Sequence, residues 1–306
     1  MASLDARFRG HDEKTKRQQG FADMNPRDPA PLGEDFGLPP ASRFAWRRVG
    51  ALALRHAFVF RRSWPRIIDL LYWPVMNLLV WGFITNFFVS HSSWIMQATG
   101  VFITAVLLWD VLFRTNLGVG LSFLEEMWAR NLGQLFVSPL RPYEMMVAIV
   151  LIGSTRALLA VLPAMILALP FFGFWVFSIG LPLYAFFFNL LIMGWWVGLF
   201  VSAVVLRHGL GAENICWATL FLIAPIACVY YPVATLPGWM QWIAWTLPTG
   251  YVFEGMRTVL LGQGFRVDLF LGAVALNLVY GVLAAAFFLK MFDTARVRGL
   301  LLKQGE

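Results

Sequence analysis

The chain has little charge. Only 13% of its 306 residues are Asp, Glu, Lys or Arg, and just four are lysine (Lys14, Lys16, Lys290, Lys303). None of these lysines follows a glycine, so the Gly-Lys-Ser/Thr element that holds nucleotide phosphates in a P-loop is absent. The four histidines (His11, His56, His91, His208) are scattered, without a ligand spacing such as HExxH, and no metal site is indicated. A GxSxG nucleophile elbow is missing as well. Cysteine is reduced to Cys216 and Cys228, both in one apolar run. On a single helix they would stand about 18 Å apart along the axis, too far for a disulfide, and both read as buried small hydrophobes. No apolar stretch occurs in residues 1–40, so no cleavable signal peptide is expected there, and Met24 is an alternative start. These absences exclude a soluble-type active site and an ATPase of the P-loop kind within this chain.

Apolar residues fill the space: 59% of the chain is hydrophobic and the mean hydropathy is +0.68. A soluble domain carries about 25% charged residues. Several apolar runs reach the roughly 20 residues needed to cross a bilayer, which predicts an all-α polytopic membrane protein. Six spans are expected, near Ile67–Val89, Val101–Leu124, Met145–Leu169, Leu181–Leu206, Ala212–Tyr230 and Leu269–Phe292. The net charge of +7 is concentrated before the first span and then at alternate loops. SHSSWIMQA (90–98) and PFFGFWVFSI (170–179) have no Lys or Arg, whereas Arg130, Arg141, Arg207, Arg296, Arg298 and Lys303 mark the other side. By the positive-inside rule both termini are cytoplasmic, in a bacterial inner membrane. No basic groove with spaced stacking aromatics occurs, and nucleic acid is not an expected partner.

In order along the chain, residues 1–41 form a polar, proline-spotted leader that should be disordered. Residues 42–65 should form an amphipathic helix. At 100° per residue Arg43, Arg47, Arg48, Arg55, Arg61 and Arg62 share one arc, opposite Trp46, Val49, Leu52, Ala53, Ala57 and Phe60, while Phe44, Leu54 and Phe58 interrupt the polar face. Such a helix lies in the headgroup plane of an anionic leaflet. A transmembrane domain (66–292) and a cytoplasmic tail (293–306) follow.

Two stretches break the apolar pattern. The first is a polar island, EEMWARNLGQLFVSPLRPYE (Glu125–Glu144), between the second and third spans. The second is YPVATLPGWMQWIAWTLPTGYVFEGMRTVLLG (Tyr231–Gly262), apolar and rich in Trp, yet divided by Pro232, Pro237 and Pro248. Two short helices that dip into the outer leaflet and return satisfy both properties, giving a re-entrant hairpin before the last span. Charges also lie within the spans. Asp110 and Arg114, four apart, share a helix face and can pair, and Arg156 could join them from the third span. They form either a structural clamp or a site. Asp69 is expected to pair with an arginine. Gly194 and Gly198 form a GxxxG that permits close helix approach, and Trp195 and Trp196 read as core.

LFVSPLRPYE (Leu135–Glu144) is similar to the LL-x-SP-x-x-x-x-E signature of the ABC-2 family of ABC-transporter permeases. YYPVATLPGWMQWIAWTLPTGYVFEGMR (Tyr230–Arg257) resembles that family's YP-x-x-x-LP-x-W segment. With the basic amphipathic helix ahead of the first span, the resemblance covers about Ser42 to Phe292 and extends to the branch that includes the nodulation-factor exporter permease. It implies an export permease that dimerises, or pairs with a second permease, and binds ABC ATPase subunits. ATP and Mg would be bound by that partner, with no cofactor in this chain. It implies that the island is a coupling helix, with Leu132, Leu135 and Phe136 in apolar contact, Glu126 and Arg130 in polar contact, and Ser138 and Pro139 in the signature. It places the outer gate at Tyr231, Pro232, Leu236, Pro237, Trp239, Glu254 and Arg257. The family often has Gly-Thr shortly before its paired leucines, where this chain reads Asn131-Leu132-Gly133-Gln134. The implied cargo is amphipathic: a lipid-linked glycan, a polysaccharide or a lipophilic drug. The alternatives are an intramembrane lipid-modifying enzyme or a secondary transporter using Asp110, Arg114 and Arg156, although the two halves of the chain show no convincing repeat.

Overall fold

The structure, a computed structural model, describes residues 44–91, 99–129, 131, 140–212 and 214–297. These residues contain nine α-helices and no strand. They are α1 (Trp46–Arg61), α2 (Trp64–His91), α3 (Thr99–Trp128), α4 (Pro142–Phe172), α5 (Leu181–His208), α6 (Ile215–Ile223), α7 (Gly238–Trp245), α8 (Pro248–Leu260) and α9 (Val267–Val297). Five of them, α2, α3, α4, α5 and α9, are long and apolar enough to cross a membrane. They coincide with the first four expected spans and the last one.

The expected fifth span, Ala212–Tyr230, is not one helix. A 3-10 turn at Leu210–Ala212 leads into the nine residues of α6, and turns then run from Ala224 to Tyr231. A nine-residue helix is about 14 Å long, against a hydrocarbon core of about 30 Å. The helix ends just before Pro225, which has no N–H to donate, and Cys228 beyond it adopts a left-handed conformation (φ 56°). The two short helices expected beyond it are present. Pro237 precedes α7 and Pro248 occupies the first turn of α8, where its missing N–H costs nothing.

Helix α3 is the hub, and small residues let its neighbours close on it. A Cβ on Gly194 would lie 2.5 Å from Thr115 Cβ, and one on Gly198 would lie 2.6 Å from Val119 Cβ. The GxxxG of α5 therefore packs within the chain, against α3. On the other side of α3, Gly118 meets Gly153 of α4, where a Cβ on Gly118 would stand 2.8 Å from the Gly153 carbonyl oxygen. Backbones this close gain dispersion contacts that lipid tails cannot supply. Leu107, Leu108, Val111 and Leu112 fill the space between α3 and Leu190, Met193 and Ala164. Polar side chains fix the outer helices. Asn277 of α9 donates to the Asn189 carbonyl (3.0 Å) and accepts from Trp196 Nε1 (2.9 Å), while Trp195 Nε1 donates to Ser154 Oγ (2.7 Å). Cys216 and Cys228 both carry buried thiols and form no disulfide.

Candidate functional site

The connection between α3 and α4 is held at both ends by α1. Val49 and Leu52 of α1 bury against Phe123 of α3 and against Met145, Ala148 and Ile149 of α4. This docking brings two arginines to two buried carboxylates. Glu144, in the first turn of α4, accepts from Arg48 Nε (2.8 Å) and Nη2 (2.6 Å), from the Ala45 backbone N–H (2.9 Å) and from the Arg141 N–H (3.1 Å). One carboxylate thus caps α4 and anchors the start of α1, and the helix N-terminus favours its charge.

At the other end, both oxygens of Glu126 accept from Arg55 Nη2 (2.9 and 2.8 Å), and His56 Nε2 lies 2.7 Å from Glu126 Oε1. The neighbouring Glu125 accepts from Arg156 Nη2 of α4 (2.7 Å) and faces His56 Nδ1 and Arg66 Nη1, each at 3.5 Å. Four helices, α1 to α4, therefore meet at Glu125 and Glu126. Burial alone would lower the His56 pKa. The carboxylates of Glu125 and Glu126 beside it outweigh burial and hold the imidazole above its ordinary value.

Several expectations change here. Glu126, expected on a docking surface, is 1% exposed and fully engaged by α1. Arg156 does not join Asp110 and Arg114, because its guanidinium is committed to Glu125. This separates the three charges on which an intramembrane enzyme or secondary transporter would depend. Of the arginines assigned to the headgroups, Arg48 and Arg55 are engaged by glutamates, Arg55 while still exposed. Arg47, Arg61 and Arg62 stay exposed among Trp46, Leu54 and Phe58. Arg43, Arg130, Leu132, Leu135, Phe136, Ser138 and Pro139 lie outside the described residues. Sequence reasoning does not single out Glu125, His56 and Arg66 as site residues. The signal that could find them is the scarcity of charge, which makes any carboxylate beside a span conspicuous.

The segment from Tyr231 to Gly262 is stapled by the two charges expected in it. Arg257 of α8 donates through Nη2 to the carbonyls of Cys228 and Val229 (3.0 Å to the latter). Glu254 accepts from the Val233 N–H (2.6 Å) and pairs with Arg257 Nη1 (3.3 Å). The Tyr231 hydroxyl donates to the Pro225 carbonyl. Pro232 opens the 3-10 turn Val233–Thr235, Leu236 packs against it, Pro237 precedes α7, and Trp239 is exposed. Within the spans, Asp110 accepts from Asn77 Nδ2 (3.0 Å) instead of pairing with Arg114. Asp69 accepts from Trp73 Nε1 (3.1 Å), where an arginine was expected.

Among the described residues no group of three or more His, Cys, Asp or Glu could hold a metal, and the polar clusters contain no nucleophile set beside a base. The arrangement ties α1, α2, α3 and α4 together through ion pairs and hydrogen bonds. The family model of the ABC-2 type transporter matches residues 52–261, from the middle of α1 to the end of α8. The chain belongs to the ABC-2 type transporter family. No curated protein matches it. As an ABC-2 permease it is a multi-pass membrane protein and a transport subunit.

Proposed function

We propose that this ABC-2 permease is the membrane half of an exporter in a bacterial inner membrane, driven by a separate ABC ATPase that presses on the connection between α3 and α4. The observation that carries the reading is the double brace. Glu126 and Glu144 lie at the two ends of one short connection, and each is bound to an arginine of α1. A push on that connection must move α1, α3 and α4 together, since sliding one alone would strand a buried carboxylate. The permease has no nucleotide site of its own, so the bias between inward and outward states must come from a partner's differential affinity. Pairing with a second copy or a sister permease completes the path, and both termini face the partner. The braced α1 leaves Arg47, Arg61 and Arg62 with Trp46, Leu54 and Phe58 for an anionic membrane surface. The segment from Tyr231 to Arg257 serves as the outer gate. The cargo is amphipathic, either a glycan carried on lipid or a polysaccharide, or a lipophilic drug, as in the branch that includes the nodulation-factor exporter permease.

The test is a mild-detergent pull-down of the tagged permease from its native host, with mass spectrometry of the associated proteins. An ABC ATPase should accompany the permease and be lost when Leu135 and Phe136 are both changed to Glu. A preparation without any ATPase under gentle conditions would overturn the reading.

A further inference from the structure

A polar row runs along α2 and meets α3 at Asn77, where only apolar contact would be needed for packing. On α2 the residues at steps of four, Asp69, Trp73, Asn77 and Trp81, form one row, about 18 Å from end to end. Asn77 Nδ2 donates to Asp110 of α3. Arg114 stands one turn along α3 from Asp110, on the same helix face. Trp81 stacks on Tyr230, with ring centroids 4.5 Å apart and planes 18° apart.

Two features of the seam mark it as more than a clamp. Asp110 and Arg114 are 1% and 9% exposed, yet Asp110 Oδ2 and Arg114 Nε have no hydrogen-bond partner among the described residues. A clamp would join these two groups; here an acceptor and a donor are each left open, at a cost in free energy that a bound ligand would recover. In addition, Asp69 is exposed on a span-length helix and Trp73 is 49% exposed. A carboxylate at such a place faces water or protein, not lipid tails.

Resting on the permease reading, we propose that this seam is a cargo site for a polyhydroxylated headgroup, neutral or amino-bearing. The exposed indole of Trp73 suits the apolar C–H face of a sugar ring, and the stacked pair of Trp81 and Tyr230 stands at the far end of the row. Asn77, Asp110 and Arg114 offer both acceptors and donors to its hydroxyls. The formal charge decides against an anion: Asp69 and Asp110 against Arg114 leave one net negative charge, and like charges repel. A purely lipophilic drug would leave the open polar atoms unpaired and gains nothing from them.

The experiment uses the full-length permease in lipid nanodiscs, titrated by calorimetry with hexyl maltoside, hexyl glucosaminide, hexyl phosphate and hexylbenzene below their micellar concentrations. The two glycosides should bind saturably, and Asp110→Asn should weaken them roughly tenfold, the loss expected for one charged hydrogen bond. Because Asp110 is buried, Trp73→Leu at an exposed position provides a second variant, expected to weaken the glycosides to a similar degree while the protein elutes as wild type. Absent glycoside binding, glycoside binding unchanged in both variants, or tighter binding of hexyl phosphate or hexylbenzene would each overturn the assignment. Pull-down of the ATPase from the same cells separates this outcome from failure of the permease reading itself.

Discussion

Arg48 and Glu144 are 96 residues apart in sequence, yet the guanidinium of one grips the carboxylate of the other through two nitrogens, at 2.8 and 2.6 Å. Glu144 is at the same time the residue that caps α4. A single side chain thus starts one membrane helix and ties down α1. Glu144→Gln keeps the shape but removes the charge, and glutamine cannot accept the same paired donors. The expected result is a loosened α1, with amide hydrogen exchange over residues 46–61 roughly tenfold faster while exchange in α5 is unchanged. Unaltered exchange in α1 would show that apolar packing of Val49 and Leu52 holds the helix alone. Arg48→Lys should loosen it to an intermediate degree, since lysine supplies a point charge in place of the fork.

The cluster at the opposite end of α1 should be sensitive to pH. The His56 pKa is raised in the folded protein, so the charged imidazole contributes stability that is full below its unfolded value of about 6.5. As pH rises through the raised folded value, the contribution is lost, with a slope of at most about 1.4 kcal/mol per pH unit. Thermal unfolding in detergent should therefore fall in temperature from pH 6 towards pH 9 in the wild type. The His56→Gln variant should show a flatter profile over the same window. A wild-type profile that rises with pH would contradict the assignment.

The amphipathic helix, the span-length helices and the two short helices α7 and α8 are all legible in the sequence. Their signals are local: runs of about 20 apolar residues, Pro237 and Pro248 as breakers, and the arc of arginines on α1. The failures share a cause. Residues 212–230 are as apolar as a span, and hydropathy cannot register that Arg257, 28 residues away, captures the Val229 carbonyl and holds a turn there. Periodicity places Arg48 and Arg55 on a polar face but cannot distinguish headgroups from two glutamates that lie 96 and 71 residues along the chain. Arg156 groups with Asp110 by sequence because both are intramembrane charges, whereas its depth in α4 puts it level with Glu125. Partner choice among charges is a tertiary property, and one sequence does not encode it locally.

Close packing around α3 predicts a sharp contrast between glycines. At Gly153 a Cβ would stand 2.6 Å from the Val119 backbone nitrogen, and backbone cannot move aside as a flexible side chain can. Gly153→Val should force α3 and α4 apart at a cost of at least about 3 kcal/mol, the upper range for overpacking, and deplete folded protein in the membrane fraction. At Gly281 on α9 an added Cβ would meet nothing within 4 Å. Gly281→Ala should be neutral or slightly stabilising, since alanine is the better helix former by about 1 kcal/mol. Equal expression of the two variants by fluorescence-detected size exclusion would refute the packing argument.

The buried staple at Arg257 gives a prediction with a built-in reporter. Arg257 Nη2 serves the carbonyls of both Cys228 and Val229, and Nη1 faces Glu254, which in turn accepts from the Val233 N–H. Arg257→Leu removes the donor from two buried carbonyls and the counter-charge from Glu254, for a loss of about 2–4 kcal/mol. The strain should concentrate where the backbone is already in an unfavourable region, at Cys228 with φ 56°. Its thiol is fully buried in the wild type, so labelling by a maleimide, read by peptide mapping to separate it from Cys216, should be slow. In Arg257→Leu the labelling of Cys228 should rise at least about tenfold while that of Cys216, packed beside Gly120 of α3, does not. Arg257→Lys should restore only part of the protection, because one ammonium cannot reach two carbonyls and a carboxylate in the same geometry. If both thiols became reactive together, Arg257 would be supporting the whole bundle, and the segment from Tyr231 to Arg257 would not move as a unit of its own.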